Sequence, residues 1–103
     1  MPRRESKPDI AVPRKATFAR TAEDERATGW IVKLSVVGVE IESLQPPAEG
    51  SDVVVWAQLL DDERELMLRG RVQWARSSRF AVQFGLLGVK ETHAIVTAGR
   101  PAA

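Results

Sequence analysis

The side chains this sequence places together are best suited to holding phosphate. Phosphate oxygens are bound by guanidinium forks, by ammonium charges and by backbone N–H groups exposed at tight turns. The first seven residues supply Arg3, Arg4 and Lys7, and Lys33-Leu-Ser-Val-Val-Gly38 is a short connection in which Ser35 and Gly38 suit a turn between adjacent strands. Three tryptophans, Trp30, Trp56 and Trp74, fall in strand-like segments, where core packing is the ordinary use of such residues. Trp74 differs from the other two in standing close to Arg76 and Arg79 near a strand end, a grouping suited to stacking on a nucleobase. A basic tail with a glycine in a hairpin is also an ordinary solvated surface, so the constellation alone specifies no ligand.

Catalytic and metal chemistry find little provision. The one histidine, His93, lies in a terminal helical segment and is expected to be a surface or packing residue, because a general base needs a positioned partner and a substrate pocket. No nucleophile-elbow, zinc-protease, phosphate-loop or dinucleotide-binding spacing occurs. Asp61, Asp62 and Glu63 are consecutive carboxylates, but side chains along an extended segment alternate in direction, so they read as a solvated hairpin tip. An enzyme is not expected, and neither is a metal or cofactor.

The composition bounds the rest. At 103 residues one core is expected, and with 44 % apolar and 28 % charged residues the chain has the usage of a globular domain. Folding buries roughly two thirds of the surface of such a chain, too little for a deep enclosed cavity, so a site belongs on the surface. There is no cysteine, which removes disulfides and thiolate chemistry and favours the cytosol. No apolar run approaches the roughly 18 residues of a membrane span, and no signal peptide is apparent. The expectation is a cytoplasmic protein without membrane insertion. Basic residues number 15 against 14 acidic, which argues against a general DNA-binding surface. The first 20 residues nevertheless hold Arg3, Arg4, Lys7, Arg14, Lys15 and Arg20 against Glu5 and Asp9, so the arm is the basic part of the molecule.

These residues need elements to position them, and periodicity names the elements. Residues 1–13 contain Pro2, Pro8 and Pro13 without sustained alternation and read as a flexible basic arm. Strands are expected at 14–20, 29–35, 37–43, 52–60, 65–75 and 80–85, with the fifth bent or bulged at Gly70. Segments 21–28 and 44–51 read as loops and 76–79 as a turn. Residues 90–98 suit a short helix, stopped by Gly99 and Pro101. Six short strands with little helix point to a small antiparallel barrel or sandwich. The domain is expected over 14–99, with 100–103 as a tail.

With these segments in place, the sequence resembles the PilZ domains, bacterial receptors and adaptors of cyclic di-GMP signalling, over nearly its whole length. That family has an R-x-x-x-R arm, a [D/N]-x-S-x-x-G motif at the second-to-third strand connection, a V-x-W segment and a last strand ending in V-x-F. Here Lys33-Leu-Ser35-Val-Val-Gly38 looks like the second motif, Val72-Gln-Trp74 like the third and Val82-Gln-Phe84 like the last. The resemblance implies an all-β fold, a six-stranded antiparallel barrel with a flexible N-terminal arm and a short C-terminal helix.

Two positions depart from the family pattern. The arm reads Arg3-Arg-Glu-Ser-Lys7, so the second arginine is a lysine; counting from Arg4 puts Pro8 there instead. Lys33 stands where the family has an acceptor for a guanine edge. Losing a bidentate fork and leaving a base edge unpaired each cost about 1–3 kcal/mol, enough together to weaken binding by roughly a hundredfold or more. The expectation is therefore a degenerate member with weak or no nucleotide binding, acting as an adaptor for an unidentified protein partner. The alternative is a competent receptor that holds cyclic di-GMP between arm and barrel through Arg3, Arg4, Lys7, Lys33, Ser35, Gly38 and Trp74.

Overall fold

Strand alternation decides which side chains fill the interior of this protein, seen here in a computed structural model that describes residues 14–60 and 64–98. The arm with Arg3, Arg4 and Lys7, the carboxylates at 61–63 and the tail from 99 lie outside the described residues, and so do the expectations placed on them. The strands are β1 (Arg14–Ala19), β2 (Ala27–Leu34), β3 (Gly38–Glu42), β4 (Asp52–Ala57), β5 (Leu66–Arg76) and β6 (Arg79–Phe84), followed by helix α1 (Val89–Ala98). All pairings are antiparallel, in the order β1-β2-β3-β6-β5-β4, and β4 returns to β1 to close a barrel.

The inward set is Ala16 and Phe18 of β1, Ile31 and Leu34 of β2, Val39 and Ile41 of β3, together with alternate residues of β4, β5 and β6. Phe18 meets Phe80 edge-on at the centre, with ring centroids 4.8 Å apart. Ala94 and Ile95 of α1 join the same core, so the helix closes one side of it, while His93 between its turns is exposed. β4 is buried on both faces. Its outward Val54 and Trp56 form a second cluster with Ala19, and the Arg26 guanidinium carbon lies 3.7 Å from the Trp56 ring centroid while the same side chain bonds Glu65 at 3.1 Å. Trp56 is thus the tryptophan that packs; Trp30 is 49 % exposed.

Two breaks in the ladder matter for function. Ile31 pairs with Ile41, but Lys33 pairs with Glu40, so Val32 is an extra residue in β2. Val72 pairs with Val82, but Trp74 pairs with Ala81, so Gln73 is an extra residue in β5. The bulge expected at Gly70 therefore sits three residues later. Gly70 has a different reason to be glycine, since a Cβ there would strike the Gln83 carbonyl oxygen and the Val82 side chain. β2 also begins at Ala27, earlier than alternation suggests, because Ala27 and Thr28 find partners in Phe18 and Thr17 of β1.

Candidate functional site

Each bulge resets the alternation of its strand, and together they build one outer row. A bulge adds a residue on one strand and so reverses which following side chains face out. After Val32, Lys33 points outward and Leu34 inward; after Gln73, Trp74 points outward and Ala75 leans on the core. The register then lines up Lys33 (β2), Glu40 (β3), Ala81 (β6) and Trp74 (β5) across four strands of the outer wall. Ala81, small and set between the longer Glu40 and Trp74, leaves a depression. The result is an open cavity of about 310 Å³ lined by Lys33, Ser35, Gly38, Glu40, Trp74 and Ala81 among others.

The β2–β3 turn forms one end of this cavity. The Ser35 N–H donates to the Gly38 carbonyl at 2.9 Å, the Gly38 N–H returns to the Ser35 carbonyl at 3.3 Å, and the Ser35 hydroxyl oxygen accepts from the Val37 N–H at 3.3 Å. The Val37 carbonyl in turn accepts from the Phe84 N–H of β6 at 2.9 Å. Ser35 therefore closes the turn locally, as serine does in such motifs, and keeps its hydroxyl proton for a further acceptor. Gly38 is required by close approach: a Cβ would collide with the Val82 carbonyl oxygen of β6. Part of what the turn motif retains is thus the packing of β3 against β6.

On the opposite side of the cavity Arg76 lies over Trp74, its guanidinium carbon 4.7 Å from the ring centroid, and fixes one face of the indole. The Gln73 amide donates to the Gln83 side-chain oxygen at 3.0 Å, which ties the bulge to β6. In the neighbouring outer row Arg79 holds Glu42 at 3.2 Å, and Trp30 stands opposite Glu42. The pairs Arg71–Asp52 and Arg26–Glu65 engage two further carboxylates. Glu40 and Lys33 differ in that neither side chain forms a hydrogen bond or an ion pair with a described residue. Among the described residues no three metal-ligating side chains converge, and no helix is long and apolar enough to cross a membrane.

Of the sequence-predicted site residues, Lys33, Ser35, Gly38 and Trp74 are brought to this one cavity, although Trp74 lies 36 positions after Gly38 in the chain. Arg3, Arg4 and Lys7 are outside the described residues. Glu40, Gln73, Gln83 and Ala81 also line the cavity and were not singled out by spacing. The outward phase of Glu40 in β3 was legible; that it faces the same cavity as Trp74 follows only from the strand order.

Barrel, turn and cavity together define a small six-stranded antiparallel β-barrel domain with an open depression on its outer wall. The PilZ domain family model matches residues 2–97, and the chain belongs to the PilZ domain family, whose ligand is cyclic di-GMP and whose members serve as receptors and adaptors. Among solved structures it is similar to the crystal structure of the PilZ domain of CeSA from a cellulose-synthesizing bacterium, with a TM-score of 0.67 at 20 % identity over 84 % of this chain and 89 % of that one. No curated protein sequence matches it.

Proposed function

We propose that this domain is a cyclic di-GMP receptor that docks one half of the dinucleotide in the outer-wall cavity. The observation that carries this reading is the convergence of Lys33, Ser35, Gly38 and Trp74 on a single depression whose volume, about 310 Å³, lies at the lower end of the range for small-molecule sites. A base stacks on the free face of Trp74, whose other face is held by Arg76. Lys33 and the Ser35 hydroxyl supply a charge and a donor for phosphate oxygens, and Arg3, Arg4 and Lys7 of the arm supply the remaining positive charge. With Lys7 in place of an arginine the arm lacks one bidentate fork, so the affinity is lower than that of an R-x-x-x-R arm.

A second reading, an adaptor that works through a protein partner with weak or no nucleotide binding, is favoured by Lys33 at the acceptor position. It is favoured also by the apolar tip of the β2–β3 turn, where Val37 is 69 % exposed. Titration calorimetry with cyclic di-GMP at low and moderate salt, with Arg4→Ala as control, separates the two. A micromolar or tighter dissociation constant that is abolished by Arg4→Ala establishes the receptor. No heat up to about millimolar ligand, corresponding to roughly −4 kcal/mol, establishes the adaptor.

A further inference from the structure

The cation at position 33 faces a carboxylate one strand away. Directly opposite residues on neighbouring antiparallel strands have Cβ atoms about 4.5–5.5 Å apart, and Glu40 is the residue opposite Lys33. Both line the cavity, and Glu40 is half-buried there, beside the Ala81 floor that separates it from Trp74. Other outer-wall carboxylates and amides are engaged: Glu42 has Arg79, Asp52 has Arg71, and the Gln73 and Gln83 amides bond each other. The Glu40 carboxylate alone among them has no partner among the described residues and offers its full acceptor capacity to whatever enters.

We infer that Glu40 is the residue that reads the base in this pocket and that it selects guanine. This rests on the reading of the cavity as the cyclic di-GMP site. Guanine presents two adjacent donors, N1–H and N2–H, on its Watson–Crick edge, and a carboxylate accepts both in parallel, the geometry that makes bidentate pairs strong and specific. Adenine presents a bare N1 acceptor at the same place, which leaves one carboxylate oxygen facing a lone pair. A site built to accept hydrogen bonds rejects the analogue that cannot give them, because its own polar group is then buried unpaired. Lys33 beside Glu40 balances the carboxylate charge, so a dinucleotide with two phosphates is not repelled. An acceptor thus stands directly across the β2–β3 pair from the cation at position 33.

The test is calorimetry of the full chain and its Glu40→Gln variant with cyclic di-GMP and with cyclic di-AMP. Glutamine keeps the size of the side chain on an outer-wall position, and far-ultraviolet circular dichroism checks that the barrel is retained. The expected result is a preference for cyclic di-GMP in the parent chain and at least a fivefold loss of that preference in Glu40→Gln. A parent chain that binds cyclic di-GMP with a Glu40→Gln preference changed less than fivefold overturns the role of Glu40 and leaves the receptor reading standing. A parent chain that does not bind cyclic di-GMP overturns both.

Discussion

Trp74 lies directly opposite Ala81 on the outer wall of the barrel, turned there by the single extra residue Gln73. The pairing of the largest side chain with one of the smallest is what makes a depression with an aromatic wall. Trp74→Ala removes the stacking surface and is expected to weaken cyclic di-GMP binding by about 1–3 kcal/mol, roughly fivefold to 150-fold, measured by calorimetry. Ala81→Leu fills the floor and is expected to abolish binding while the barrel persists by circular dichroism. Binding that survives both variants places the ligand elsewhere.

Gly38 sits where β3 meets the Val82 carbonyl of β6. Gly38→Ala forces β3 and β6 apart where they pair, and overpacking of this kind costs about 1–3 kcal/mol. A urea melt is expected to show a lowered midpoint with an unchanged slope. An unshifted midpoint means that β3 and β6 separate there at no cost.

The Thr17 hydroxyl is buried without a hydrogen-bond partner among the described residues, beside Trp56 in the register. A lone buried hydroxyl carries a desolvation cost that an isosteric methyl does not. Thr17→Val is expected to leave stability unchanged or raise it by up to about 1 kcal/mol, read as an upward shift in the thermal midpoint of a few degrees. A fall of that size means that the hydroxyl is bonded in solution.

Lys7 stands where the family has the second arginine of the arm. An ammonium is a point charge, whereas a guanidinium binds bidentately. Lys7→Arg is therefore expected to tighten cyclic di-GMP binding by about 1–2 kcal/mol, roughly fivefold to thirtyfold, with no change in melting temperature. An unchanged dissociation constant means that residue 7 does not reach the ligand.

The strands were legible because inward residues recur every second position. Val39 and Ile41 against Glu40 and Glu42, or Phe80, Val82 and Phe84 against Ala81 and Gln83, state their faces without reference to anything else. The turn was legible because Ser35 and Gly38 are turn residues at turn spacing. The bulges were not. A one-residue insertion exists only relative to a partner strand, and the bend assigned to Gly70 falls at Gln73 because β6 sets the count.

Local pattern thus specifies six strands, a terminal helix and the turn at 35–38, since each depends on residues within a few positions of one another. The cavity depends on four strands drawn from across the chain. Lys33, Glu40, Ala81 and Trp74 become neighbours only through the order β2-β3-β6-β5 and the two bulges that turn Lys33 and Trp74 outward. Side-chain alternation is a local property, whereas strand register belongs to the closed barrel, and the placement of an acceptor opposite Lys33 is a matter of register.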